Sequence, residues 1–309
     1  MTDEWQVALE ATGTRFHQSA QWEPAVPRRC PRGVAHPVRD GVFSGAVDTR
    51  RFRTAAAHYA IGRPPYPAEF IAELARACRL THADRLLDLG TGPGLLALAF
   101  APHVGSVLAV DPEPEMLRVA AEAVRAAGAR AEVRAGSSDT LGPDWGRFRV
   151  VTMGRSFHWM EREETLRRLD AIVEPDGALL LFNDEVADLP ENAALKAWSA
   201  VVERYSADDR VRMERKSPEW QDHEAVLRVS AFRAVERQEY LHRGTTTIEL
   251  LVHRALSMSA TSESRLGSRA ETMVAELRAT LAPFAATGPL AQIIEWSALV
   301  ARRPDPGSA

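Results

Sequence analysis

Cysteine is nearly absent from this 309-residue sequence: Cys30 and Cys78 are the only two, with no C-x-x-C spacing. A disulfide framework and a cysteine-built zinc site are both excluded as organising devices. Lysine is equally scarce, at Lys196 and Lys216 alone, so the positive charge is carried by arginine. Histidines such as His17, His36, His58, His82 and His103 are scattered, with no HxxxH or HExxH arrangement for a metal. No G-x-S-x-G elbow for a nucleophilic serine occurs either. Apolar runs are short, Ala178 to Phe182 being typical, far below the roughly 20 residues that cross a membrane. The first residues, Met1-Thr2-Asp3-Glu4-Trp5, are acidic where a secretory signal is basic, and a cytoplasmic protein with no membrane partner is expected. A net charge of -4 offers no broad attraction to a nucleic-acid backbone.

What remains is ordinary for a globular chain: 45% hydrophobic and 26% charged residues, enough at this length for one large domain with a cap. Arginine clusters such as Arg50-Arg51-Phe52-Arg53 fit an overall compositional bias and read as solvated faces. Residues 1–45 stand apart. Pro24, Pro27, Pro31 and Pro37 forbid a long helix, and the charges there balance. This extension reads as a lid, a dimer contact or a loosely ordered segment, so a monomer and a homodimer are both open.

From residue 66 strand and helix alternate, the pattern of a parallel α/β sheet. Strands are predicted over 85–89, 107–110, 131–135, 148–153 and 178–182. Helices are predicted over 67–80, 95–101, 112–127 and 163–173, with Gly128 as a stop and Glu174-Pro175-Asp176-Gly177 as a turn. Beyond 185 the rhythm changes to helices over 192–205, 248–257 and 269–284, a strand over 232–241 and a last strand over 293–301. The chain divides into the extension (1–45), a cofactor-binding core (46–185), a cap over the substrate (186–245), a completing segment (246–304) and a tail (305–309).

The turn Asp88-Leu89-Gly90-Thr91-Gly92-Pro93-Gly94 joins the first strand to a helix. Such a turn at the carboxyl end of a central strand is where open α/β sheets bind nucleotides. Asp111 ends the second strand, 21 residues after Gly90, where a carboxylate can accept hydrogen bonds from ribose hydroxyls. A dinucleotide fingerprint would place its third glycine at position 95, which is Leu95, and Pro93 removes an N–H that a pyrophosphate would use. S-adenosylmethionine (SAM), which has no phosphate, suits this turn better than NAD.

With these residues in view, the stretch from Leu86 to Asp184 resembles the SAM-binding core of class I methyltransferases. Leu87 to Gly94 is similar to their first motif, and Val110-Asp111-Pro112 with Met116-Leu117 to their second. Gly136-Ser137-Ser138-Asp139 stands where the family reads Gly-Asp-Ala-Glu beside the adenine. A finer resemblance, to small-molecule methyltransferases of the trans-aconitate type, rests on Tyr59-Ala60-Ile61-Gly62-Arg63-Pro64-Pro65-Tyr66-Pro67 and Phe157-His158-Trp159, with Ser257-Met258-Ser259 and Arg302-Arg303-Pro304. The resemblance implies a Rossmann-like, mostly parallel seven-stranded sheet in the order 3-2-1-4-5-7-6, with helices on both faces and a helical cap. It implies SAM as cofactor, with Tyr59, Arg63, Asp88, Gly90, Thr91, Gly92, Gly94, Asp111, Pro112, Met116, Ser137, Ser138 and Arg155 around it.

Methyl transfer needs alignment and exclusion of water more than reactive side chains. A general base is required only where the acceptor arrives protonated. His158, after the fourth strand, is the candidate base or orienting group. Trp159, Asp184, Trp198, Tyr205 and Trp220 are the candidate acceptor contacts. The expected reaction is methyl transfer to O, N or C of a small molecule. The alternatives are a SAM-binding protein that catalyses a non-methylating step such as a cyclisation, and a binding module.

Overall fold

A computed structural model of the chain describes residues 54–286 and 288–305. The expected extension, Cys30, the arginines at 50–53 and all but the first residue of the expected tail lie outside these described residues. The central element is a seven-stranded sheet in the order β3-β2-β1-β4-β5-β7-β6. Its strands are β1 (Arg85–Leu89), β2 (Ser106–Asp111), β3 (Ala131–Ala135), β4 (Phe148–Gly154), β5 (Val173–Val186), β6 (Ala234–Thr246) and β7 (Leu290–Arg302). The first five pair in parallel. β7 runs antiparallel to both of its neighbours. This is the strand order and direction expected from the sequence.

Both faces of the sheet are buried, which explains the unbroken apolar runs in its central strands. Side chains alternate across the sheet. Leu86, Leu180 and Phe182 face one layer with Phe70, Phe100 and Trp296. Leu87, Leu89, Leu179 and Leu181 face the other with Phe148, Leu166 and Leu169. The covering helices are α2 (Ala68–Ala77), α3 (Leu95–Phe100), α4 (Pro114–Ala127) and α5 (Arg162–Ile172). α4 begins two residues later than expected. Glu113 precedes Pro114 and is held extended, so the helix starts at the proline itself. It ends where Gly128 turns left-handed.

β5 is far longer than the five residues expected. Phe148 of β4 pairs with Val173 and Val150 with Ala178, so Glu174–Gly177 bulges out of the ladder as the predicted turn, inside the strand. Beyond β5 the chain enters a helical layer containing α6 (Ala193–Tyr205), α7 (Arg210–Arg215) and α8 (His223–Arg228). Asn192 anchors this departure. Its amide donates to the carbonyls of Ala187 and Ile293 at 2.8 Å each and accepts from Ile293 N–H at 2.9 Å. Of the segment 186–245 assigned to a cap, residues 234–245 belong to strand β6 of the sheet. β6 forms the edge, and its charged residues blunt that edge. α9 (Ile248–Leu256), α10 (Glu263–Leu266) and α11 (Arg269–Ala285) precede β7.

Helix α1 (Ala55–Gly62) has no periodic signature, because its small apolar residues are distributed around the helix. It packs on α4 through Ala55, Ala56, Met116 and Val119. It also lies against α9 so closely that a Cβ on Gly62 would enter the backbone of His253 and Arg254. His58 and His253 meet across this contact, Nδ1 to Nδ1 at 2.8 Å. Among the described residues no helix is long and apolar enough to cross a membrane, and no cluster of three or more His, Cys, Asp or Glu could hold a metal.

Candidate active site

Two buried aspartates hold the glycine turn in shape. Asp88, in β1, accepts from Thr91 Oγ1 at 2.6 Å, Thr152 Oγ1 at 2.7 Å and the Ala97 N–H at 3.1 Å. Burial pushes its carboxyl up to about 6, against those three hydrogen bonds. With both oxygens occupied inside the protein, Asp88 braces the turn. Asp111, ending β2, accepts from Gly92 N–H and from Glu113 N–H, both at 2.9 Å. Burial raises its pKa, while the same two bonds oppose the rise. Each oxygen retains a second lone pair for a ligand hydroxyl. Gly90 carries a positive φ of 72°, and a Cβ there would lie 2.5 Å from Ser156 Cβ. Glycine is therefore required on both conformational and steric grounds.

The turn floors a cavity of about 320 Å³. Of the residues expected at the cofactor, all except Gly94 and Arg63 line it. Gly94 instead caps the start of α3 in a left-handed conformation. Arg63 faces the neighbouring cavity. At the end of the glycine-turn cavity lined by Ser137 and Ser138, Ser137 accepts from Asp139 N–H at 3.2 Å, and its own N–H donates to Thr140 Oγ1 at 3.0 Å. This reciprocal cap engages Ser137 Oγ as an acceptor and fixes a short helical turn beside the cavity.

A second cavity, of about 460 Å³, adjoins the first and shares Tyr59, Arg155 and Trp159 with it. Its wall includes His158, Trp220 and His223. Burial, then the positive charge of Arg215 and the nearby His223, drives His158 well below the ordinary histidine pKa. His223 is brought down to about 4 by burial, with Arg162 and Arg215 adding to it. Both rings are thus neutral at physiological pH. They lie nearly parallel, 13° apart with centroids at 6.2 Å. The guanidinium of Arg162 sits 4.1 Å over the Trp220 ring, fixing that side chain at the cavity.

At the seam stands a buried charge cluster. Arg155, just past β4, has a left-handed φ of 56° and donates its backbone N–H to Phe182 O at 3.2 Å. Its Nη1 is ion-paired with Asp184 Oδ1, whose other oxygen meets Arg254 Nη2 at 2.9 Å. Burial alone would raise Asp184, but Arg155, Arg254 and Arg63 together bring it down to about 2. Arg63 donates to Ser257 Oγ at 2.8 Å and lies 4.9 Å over the Tyr59 ring. Burial and the repulsion of Arg155 lower it to about 10, so it remains charged at neutral pH.

Three expected acceptor contacts are placed elsewhere. Trp198 is buried in the helical layer, its Nε1 donating to Leu251 O at 2.9 Å. Tyr205 donates to Glu276 Oε2 at 2.9 Å on α11. Asp184 lies behind the cavity wall, held by its two arginines, while its neighbour Glu185 lines the space. Trp159 and Trp220 do line the larger cavity. Sequence reasoning missed His223, Arg254 and Tyr66. Tyr66 stands within the quoted Arg63-Pro64-Pro65-Tyr66 run and lines the glycine cavity, but His223 carries no spacing signal at all.

Residues 86–177 match a family model described as a methyltransferase domain. An uncharacterised methyltransferase-like protein of Schizosaccharomyces pombe is 27% identical over 164 residues, which cover 52% of this chain and 61% of that protein. An uncharacterised methyltransferase of Mycobacterium tuberculosis is 33% identical over 133 residues, covering 43% of this chain and 51% of it. The chain thus spans between about half and three-fifths of the length of these relatives. The solved structure of YjhP from Escherichia coli superposes with a TM-score of 0.50 at 14% identity, covering 82% of this chain and 100% of that one. Residues 86–177 thus carry a methyltransferase domain, whose glycine turn and β2 aspartate stand on a sheet ordered 3-2-1-4-5-7-6.

Proposed function

We propose that the chain transfers a methyl group from SAM to an oxygen, nitrogen or carbon of a small-molecule acceptor. The observation that carries this reading is the pair of adjoining cavities with Tyr59, Arg155 and Trp159 in their common wall. One space is shaped by backbone and a ribose-type aspartate, and the other is lined by side chains that can hold an acceptor. The first fits SAM on its own terms. Its floor is a glycine turn that a Cβ on Gly90 would distort, and Asp111 offers two lone pairs beside it. Both volumes lie in the range of small-ligand sites.

In this reading Asp111 holds the ribose hydroxyls, Met116 and Pro112 pack beside the adenosine, and Ser137 and Ser138 meet the adenine edge. Tyr59 covers the space from α1. When bound, SAM supplies a methyl group already activated by its sulfonium. His158 takes the proton from a hydroxyl acceptor as the new bond forms, or from an ammonium acceptor beforehand to free the lone pair that attacks, contributing about 10²–10⁴-fold. Because its pKa is depressed, the imidazole stays free to accept that proton well into the acid range. Trp159 and Trp220 exclude water and orient the acceptor.

The test is incubation with SAM labelled in the methyl group and a fractionated small-metabolite extract. Label should appear in a low-molecular-mass product with stoichiometric S-adenosylhomocysteine, and His158→Ala should suppress both. Label confined to protein or nucleic acid, or acceptor consumption without S-adenosylhomocysteine, would overturn the reading.

A further inference from the structure

The two edges of the sheet are unlike. β3 ends it on one side with 5 residues, whereas β6 ends it on the other with 13. A long edge strand is a place where a further strand can add, and a short one offers little to pair with.

Which backbone groups of β6 face outward follows from β7. The Ile293 carbonyl accepts from Ala187 N–H at 3.1 Å, and its N–H donates to Asn192 Oδ1 at 2.9 Å, both partners lying just beyond β5. Alternation along β7 then turns the backbone of Ile294 and Trp296 toward β6, where they pair with His242 and Tyr240. The odd-numbered residues of β6, from Val235 to Thr245, therefore direct their N–H and C=O groups away from the sheet. Arg228 Nη2 meets the Val235 carbonyl at 3.5 Å. Among the described residues no other hydrogen bond reaches this row, so the outward groups of Arg237, Glu239, Leu241, Arg243 and Thr245 stay open.

The side chains of the same row share one face of the sheet, the face on which Arg237 lines the larger cavity. Leu241, 47% exposed, stands between Glu239 and Arg243. Glu239 has no ion-pair partner among the described residues. Arg243 has Glu191 at 3.4 Å, with both side chains more than half exposed, a contact that contributes little.

We propose that β6 is a homodimer interface, in which two copies pair edge to edge and antiparallel, with Leu241 of each on the two-fold axis. This register sets the two leucines against each other and places Glu239 opposite Arg243 of the partner subunit, twice over by symmetry. The outward backbone rows meet in phase, so the two sheets become one. Neighbouring registers fail on charge or on access. Centring on Tyr240 sets Arg237 opposite Arg243, and centring on Glu239 sets that carboxylate against itself. Centring on His242 gives neither charge an opposite partner, and centring on Gln238 requires the Val235 carbonyl that Arg228 holds. The charges that blunt this edge against other strands thus fit a second copy of it.

Analytical ultracentrifugation and cross-linking of the full-length protein test the interface. The intact protein should sediment as a dimer that dissociates on dilution. Glu239→Arg should weaken the dimer at least about tenfold, as should Arg243→Glu, because each sets like charges opposite one another. Combining the two reverses both signs, and the double variant should return to within about threefold of the intact protein. Neither residue lines a cavity, so ligand binding does not enter the comparison. In a Cys30→Ser background, Leu241→Cys should oxidise to a disulfide-linked dimer, since hydrogen-bonded antiparallel neighbours lie about 5.5 Å apart at Cα. Val229→Cys, 78% exposed and off the strand, should not cross-link under the same conditions. A monomer at every concentration overturns the proposal. So does a dimer indifferent to the charge reversals, a double variant as weak as the single ones, or Leu241→Cys protein that forms no cross-link.

Discussion

The two cavities are built by different means. The smaller one is shaped by backbone: a left-handed glycine, two backbone N–H groups held by Asp111, and the carboxyl ends of adjacent parallel strands. The larger one is shaped by side chains brought together from the segment after β4, from β5, α7 and α8, and from the segment after α9. A backbone-built site tolerates few substitutions and sits at a place the topology dictates. A side-chain-built site can change its specificity one residue at a time on the same frame. That contrast separates what the family shares from what this chain selects.

The comparison predicts that changes on the two sides divide cleanly between acceptor chemistry and cofactor affinity. The largest effect should come from His158→Ala, lowering kcat by about 10²–10⁴-fold with SAM affinity unchanged, as read by steady-state kinetics and calorimetry. In the intact protein kcat should stay level as pH falls through 6.5, because burial holds His158 below its ordinary pKa. An acid limb near 6.5 would remove His158 from that role.

Asp111→Ala should come next. It takes the acceptor from two backbone N–H groups and from the ribose, and one charge-assisted bond alone is worth about 1.5–3 kcal/mol. SAM affinity should fall by about 10- to 100-fold, with kcat at saturating SAM nearly preserved. Trp220→Ala should show the converse split, raising the acceptor KM about tenfold while calorimetric SAM affinity holds.

Stability should respond to pH through the acceptor side. His223 is lowered to about 4 in the folded protein, whereas the unfolded chain protonates near 6.5. Below about 6.5 the unfolded state binds more protons, so the melting temperature should fall between pH 6.5 and 4. His223→Phe should flatten that fall. The smallest effect belongs to Tyr205→Phe. It removes one half-exposed hydrogen bond to Glu276, so thermal melting should register about 0.5–1.5 kcal/mol and turnover no change.

The same contrast explains how far the sequence could be read. Gly90, Gly92 and Asp111 were legible because a turn between a strand and a helix imposes residue types at fixed spacing. The sheet order followed from resemblance to a family, and the alternation of strands and helices placed most of its elements. Trp198 and Tyr205 were misplaced for a physical reason. An aromatic on a helix shows that it is buried, but not against which partner, and both turned toward α9 and α11. Asp184 was found at the right strand end, but its two arginines lie 29 and 70 residues away in sequence. His223 reaches the larger cavity from α8 and Arg254 reaches Asp184 from α9, and no local spacing encodes either return. Helix α1 escaped notice because a helix without a polar face has no period to detect.

The most direct test of the account is calorimetric titration of the full-length protein with SAM, alongside its Asp111→Ala and Trp220→Ala variants. The account predicts one-to-one SAM binding, weakened at least about tenfold by Asp111→Ala and changed less than about threefold by Trp220→Ala, with no heat from NAD. Intact protein that fails to bind SAM, or Asp111→Ala protein that binds it equally well, would contradict the claim that the glycine cavity is the cofactor site.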